Sequence, residues 1–145
     1  MKTPWMEMTL RDFQAALASS SPTPGGGTAA AIALGQASAL AIMVCDLTLG
    51  KDKWKDGWDI ADKTLSESVG IMMRAGALAD EDSDAFDEVM ASFKLPKETE
   101  TEKESRRYAI RQATLGATEK PFETAQLALK LLELLPELAI KGNSN

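Results

Sequence analysis

The chain has no histidine. That removes the side chain that most often serves as general base and metal ligand near neutral pH. Cysteine is reduced to Cys45 alone. One cysteine supports no disulfide framework and fits a reducing compartment, and without histidine a zinc site is not expected. Cys45 closes an apolar run, so it is expected to be a small buried residue, not a nucleophile. Basic residues are outnumbered, 16 Lys and Arg against 22 Asp and Glu, for a net charge of −6, which argues against a nucleic-acid partner. Alternating β patterns and internal repeats are missing as well, leaving an all-α fold. The first residues show no basic segment followed by a leucine-rich stretch, so no secretion signal is expected and the location is read as cytoplasmic. Any catalysis must rest on carboxylates, lysines, tyrosine or backbone dipoles.

What is present is ordinary in bulk and uneven in distribution. At 145 residues, 44% hydrophobic and 26% charged, the chain suits one domain with its own core. Its organising stretch is Thr23-Pro24-Gly25-Gly26-Gly27-Thr28 and the run that follows. From Gly25 to Cys45 there is no Asp, Glu, Lys or Arg, and alanine recurs at 29, 30, 31, 33, 37, 39 and 41. Alanine is the best helix former, and a helix apolar all round is normally buried all round. The run is therefore read as a central helix around which the others pack. It is long enough to raise a membrane span. Against that stand the weak insertion tendency of alanine, the presence of Gln36 and Ser38, and the lack of a second such run. The glycines let a ligand approach the backbone, and free N–H groups at a helix start favour an anion. The alternative is a flexible entry to a tightly packed helix. Neither common nucleotide-binding glycine pattern is matched.

The remaining elements follow from caps and periodicity. Thr9 with Asp12 three residues on reads as a helix start, with Leu10, Phe13 and Leu17 on one face. Ser19 to Pro24 is a loop. The central helix is expected over about 28–49, ended by Gly50. A helical period runs from about Asp59 to Lys94, with Gly70 and Gly76 as weak points. Leu95-Pro96 ends it. Thr99-Glu100-Thr101-Glu102 is a capping box for a helix to about Thr118. Pro121 fits the first position of a last helix, which Pro136 would kink.

Asp80, Glu81, Asp82, Asp84, Asp87 and Glu88 crowd one helical segment. Such a run is ordinarily a solvated face. At 100° per residue, Asp82 falls on the stripe of Leu78, Phe86, Val89 and Phe93, while Asp80, Asp84, Asp87 and Glu88 project elsewhere. A carboxylate among apolar side chains must be paired, hydrogen-bonded or functional, and burial raises a carboxyl group toward the range of a useful general base. Asp46 poses the same question at the end of the apolar run. Two inward carboxylates on different helices would flank a cationic carbon; a lysine partner or a helix-end hydrogen bond would explain them equally well.

Ser21-Pro22-Thr23-Pro24-Gly25-Gly26-Gly27-Thr28-Ala29-Ala30-Ala31 closely resembles the signature of the cyclodeaminase/cyclohydrolase family of folate enzymes. Asp46-Leu47-Thr48-Leu49-Gly50-Lys51, Ala79 to Phe86, Phe93 to Lys97, the segment around Pro121 and the closing Gly142-Asn143 resemble it too, in the same order. The resemblance covers nearly the whole chain. It implies a single domain over residues 1–145, an all-helical subunit that stops short of the family's C-terminal helices, and a homodimer. It further implies hydrolysis of 5,10-methenyltetrahydrofolate to 10-formyltetrahydrofolate, with cyclisation of 5-formiminotetrahydrofolate as the alternative. A helical folate-binding or interaction module without chemistry is the third reading. No metal or redox cofactor is implied. Both reactions pass through an amidinium carbon, which a nearby carboxylate would stabilise. Asp82 is assigned that role, with Asp80 as runner-up. Pro24, Gly25, Gly26 and Gly27 are expected to hold substrate. Asp46 stands where the family usually has Asn and joins them. Lys51 and Lys53 would meet the glutamate tail.

Overall fold

Thr9 caps the first helix as its spacing with Asp12 predicts: the Asp12 N–H donates to the Thr9 hydroxyl at 3.1 Å. This helix, α1 (Leu10–Leu17), turns only Phe13 fully inward. It is one element of an all-helical chain, seen in a computed structural model that describes residues 3–145. The first two positions, which enter the reading of the leader, lie outside the described residues. Short 3₁₀ turns occupy Trp5–Glu7 and Asp52–Gly57. The long elements are α2 (Gly26–Thr48), α3 (Trp58–Ser92) and α4 (Glu100–Lys141). No strand occurs among the described residues.

Small residues set the packing. On α3, Ala61, Thr64, Ser68, Ala75, Ala79 and Ser83 are buried at helical spacing, so α2 can lie close along it. The pair runs antiparallel. Ala31 meets Leu78 and Ala79 at one end, Leu34 and Ala41 meet Ile71 and Ala75 in the middle, and Cys45 meets Ile60 and Ala61 at the other. Leu131, Leu134 and Leu138 of α4 complete the middle and far clusters. Burial and the neighbouring Asp46 charge push the Cys45 thiol up, so it is an inert core residue.

Two expectations are corrected and one open point is settled. Pro121 does not begin a helix; it lies inside a continuous α4. Lys120 pairs with Glu81 and Glu123 with Arg74, so the stretch spanning the proline is held on α3 although proline cannot donate to the helical ladder. Gly70 and Gly76 do not break α3. The apolar α2 is not buried all round, because α3 and α4 cover only part of it. Leu40, Met43 and Leu47 are 60%, 51% and 46% exposed, on an uncharged stripe with Ala30, Ala33 and Ala37. The Thr99 capping box is present with both hydrogen bonds.

The closing Gly142-Asn143 locks the far end of α2. The Asn143 backbone N–H donates to Thr48 Oγ1 at 2.9 Å and its side-chain amide to the Leu47 carbonyl at 3.1 Å. Gly57 must lack a side chain there, since a Cβ would overlap the Lys141 carbonyl.

Candidate functional site

The site is built where the glycine turn meets the acidic stretch of α3. Gly25 caps α2 with extended backbone, and Gly26 and Gly27 form its first turn. The first regular bond is Ala29 N–H to Gly25 C=O at 3.0 Å, so the N–H groups before it have no helical partner and the positive end of the helix dipole lies here. Asp82 is half-buried against this turn. A Cβ on Gly27 would stand 2.6 Å from Asp82 Cγ, so the glycine is required by close approach of the carboxylate. Thr28 Oγ1 donates to Asp82 Oδ2 at 2.9 Å. Thr28 and Ser83 hydroxyls are 2.8 Å apart, and the Trp5 indole Nε1–H donates to Ser83 Oγ at 2.9 Å.

Much of the acidic run is wired rather than merely solvated. Asp80 accepts the Trp5 backbone N–H at 2.9 Å, which gives it a structural task. Asp87 accepts from Thr23 at 3.1 Å and fixes the loop before Pro24. Glu81 takes both ends of the Arg74 fork, at 2.6 and 3.0 Å, and Lys120 at 2.9 Å. The same guanidinium holds Glu123 on α4 at 2.6 and 2.8 Å. Hydrogen bonds from Arg74, then from Lys120, hold the Glu81 carboxyl down at about 2. Arg74 lowers Glu123 as well and is itself raised. This ionised network ties α3 to α4 beside Asp82.

The structure brings together Pro24, Gly25, Gly26, Gly27 and Asp82. It does not bring Asp46, Lys51 or Lys53 to them within one chain. Asp46 is exposed rather than inward: its neighbours Cys45 and Thr48 are buried against α3 and α4, and Asp46 projects from the flank of α2 that these helices leave open. Nineteen residues of helix separate it from Gly27, about 28 Å at 1.5 Å per residue. Lys51 and Lys53 follow Asp46 and share that end; Lys53 Nζ sits 4.6 Å from the Trp54 ring centroid. The stripe first drawn through Asp82 is also revised. Phe86 and Phe93 are 42% and 51% exposed, and the buried line on α3 runs instead through Ala75, Leu78, Ala79 and Ser83. Trp5, Thr28, Ser83 and Arg74 were missed as site residues. Thr28 and Ser83 lie inside the two motifs, next to Gly27 and Asp82, but no sequence period ties Trp5 to a helix so far along the chain.

The chain matches the Formiminotransferase-cyclodeaminase family over residues 9–145. It is 39% identical over 137 residues to a methenyltetrahydrofolate cyclohydrolase of Methylorubrum extorquens, covering 94% of this chain and 66% of that protein. It is 32% identical over 142 residues to the formimidoyltransferase-cyclodeaminase of Rattus norvegicus, covering 95% of this chain and 26% of that protein. A crystal structure of formiminotetrahydrofolate cyclodeaminase from Thermotoga maritima superposes with a TM-score of 0.81 at 27% identity, over 97% of this chain and 66% of that one. The chain thus spans just under two thirds of the Methylorubrum and Thermotoga proteins and about a quarter of the rat one. On the match over residues 9–145, with the helical architecture already described, the chain belongs to the formiminotransferase-cyclodeaminase family.

Proposed function

We propose that this chain is a methenyltetrahydrofolate cyclohydrolase, converting 5,10-methenyltetrahydrofolate and water to 10-formyltetrahydrofolate and a proton. The observation that carries the reading is the Asp82 carboxylate packed on Gly27 and tied to Thr28. The methenyl bridge is an amidinium cation. A carboxylate beside it offsets the positive charge and takes a proton from the attacking water as the C–O bond forms. Opening of the ring then breaks the bond from that carbon to N5; the electron pair stays on nitrogen, which takes up a proton as the added hydroxyl gives up its own to form the C=O. Gly25, Gly26 and Gly27 leave room for the pterin edge or a carboxylate at the helix start. The reaction changes no oxidation state, so the proposal calls for no redox cofactor, and it gives the task of offsetting the cation's charge to Asp82 rather than to a metal. The Thermotoga likeness supports the second reading, cyclodeamination of 5-formiminotetrahydrofolate, which uses the same carboxylate beside the same kind of carbon.

We further propose a cytoplasmic homodimer formed through the open stripe of α2. Two copies of this uncharged helix paired antiparallel across a two-fold axis near the middle of α2 bury Leu40 of each copy on the small-residue stripe of the other. The same pairing carries the Asp46–Lys53 end of one subunit toward the glycine turn of the other, where lysines suit the folate glutamate. An 18-residue stretch of α2 has a mean hydropathy of 1.8, and the helix is long enough to cross a membrane. Its buried Thr28, Ser38 and Thr48 and the Asn143 clamp support a core helix instead.

The test is the ultraviolet absorbance of methenyltetrahydrofolate with and without the protein. Loss of the chromophore faster than in buffer is expected. A folded protein that gives no acceleration, yet binds folates in titration, would favour a module without chemistry.

A further inference from the structure

We infer that Trp5, Ser83 and Thr28 form a one-way chain of hydrogen bonds that positions Asp82; the inference rests on the catalytic reading of that carboxylate. The direction follows from donor chemistry. An indole N–H only donates, so at the Trp5–Ser83 contact of 2.9 Å the serine oxygen accepts. An ionised carboxylate only accepts, so at the Thr28–Asp82 contact of 2.9 Å the threonine spends its single proton on Oδ2. The 2.8 Å bond between the two hydroxyls, where either oxygen could donate by distance alone, must then run from Ser83 to Thr28. Every proton in the chain points toward Asp82.

The chain is dry and doubly anchored. Trp5 is 7% exposed, and Thr28 and Ser83 are fully buried, so water does not compete for these bonds. Trp5 is clamped at both ends, its backbone N–H on Asp80 and its indole on Ser83, with the Phe13 ring edge-on at 6.0 Å. The arrangement fixes Oδ2 and leaves Oδ1 to address the glycine turn. Trp5 lies ahead of residues 9–145 that match the family. Trp5, Ser83 and Thr28 are positioning residues; none is assigned contact with substrate.

The experiment is steady-state kinetics on methenyltetrahydrofolate for wild type, Thr28→Val, Thr28→Ser, Ser83→Ala and Trp5→Phe, each checked for folding by circular dichroism. Thr28→Val is expected to lower kcat roughly ten- to a hundredfold, the scale of one lost hydrogen bond to a charged group, with KM little changed. Thr28→Ser should recover most of the rate. Trp5→Phe keeps an aromatic ring and removes the donor, so a several-fold drop in kcat should appear in wild type and vanish in the Thr28→Val background. Folded variants with wild-type kcat, or a Thr28→Ser as slow as Thr28→Val, would overturn the chain. A second readout needs no substrate: the Trp5 indole N–H resonance, assigned by its loss in Trp5→Phe. It should shift in both Thr28→Val and Asp82→Ala. An inactive wild type with those shifts would remove the cyclohydrolase reading and leave the chain standing; an unmoved resonance would remove the chain.

Discussion

Replacing Gly27 by alanine puts a number on the contact between the glycine turn and the acidic helix. The new Cβ would lie 2.6 Å from Asp82 Cγ, whereas non-bonded carbons rest at about 3.5–4.0 Å. The carboxylate must therefore withdraw by about 1 Å, and its bond to Thr28 Oγ1 at 2.9 Å must stretch or break. A misplacement of that size costs about 10²-fold in rate, or about 2.7 kcal/mol of barrier. Stability should change little, because alanine is favoured over glycine in a helix by roughly 0.5–1 kcal/mol, which offsets part of the clash. Gly70→Ala is the control: it lies on exposed α3 with nothing within 4 Å of a Cβ, so it should stabilise slightly and leave turnover alone. Gly26 also has open space around a Cβ, so a loss in Gly26→Ala would report ligand contact rather than a displaced carboxylate. The assay is methenyltetrahydrofolate turnover at saturating substrate, with thermal melts alongside. A folded Gly27→Ala that works at the wild-type rate would refute the reasoning.

Other perturbations probe separate parts of the account. Arg74→Met should lower the melting temperature at pH 7 and do so less at acid pH. The Glu81 carboxyl lies at about 2 instead of 4.5, so its contribution is complete above its unfolded value and is lost as pH falls through about 2. The network is part-exposed, so the effect at pH 7 is modest, and an equal difference in melts at pH 7 and pH 2 would count against the assignment. Leu40→Glu should convert a dimer to monomers in sedimentation and raise KM, as should Lys51→Ala without dissociation; a wild type that sediments as a monomer would contradict the proposed pairing. Asn143→Ala, which removes the bond to the Leu47 carbonyl, should cost about 1 kcal/mol of stability with kcat unchanged, as measured by denaturant titration and turnover.

How much of this was legible in the sequence depends on whether the signal was local. Caps are local chemistry, so Thr9 and the Thr99 box were readable, as was the apolar period of α2. The closeness of Gly27 and Asp82 was suggested by two motifs but needed antiparallel packing of α2 on α3 to become a contact. Pro121 misled because its cost to a helix is local while the bonds that hold α4 across it, from Arg74 and Lys120, come from distant positions. Phe86 and Phe93 misled because a wheel counts apolar residues, whereas the buried line of α3 is made of alanines and serines small enough for α2 to approach. Asp46 looked inward because the uncharged run before it has no polar side to mark which face is covered; the buried line passes through Cys45 and Thr48 and leaves Asp46 off it. Trp5 was invisible as a site residue because nothing in a single tryptophan says which distant helix it will meet.

The most direct measurement is the turnover of methenyltetrahydrofolate by Asp82→Asn, beside wild type, with both proteins shown to be folded. The side chain keeps its size and an acceptor for Thr28 but loses the charge that would sit against the amidinium carbon. A fall of about 10²–10⁴ in kcat is the expected result; an unchanged rate would contradict it.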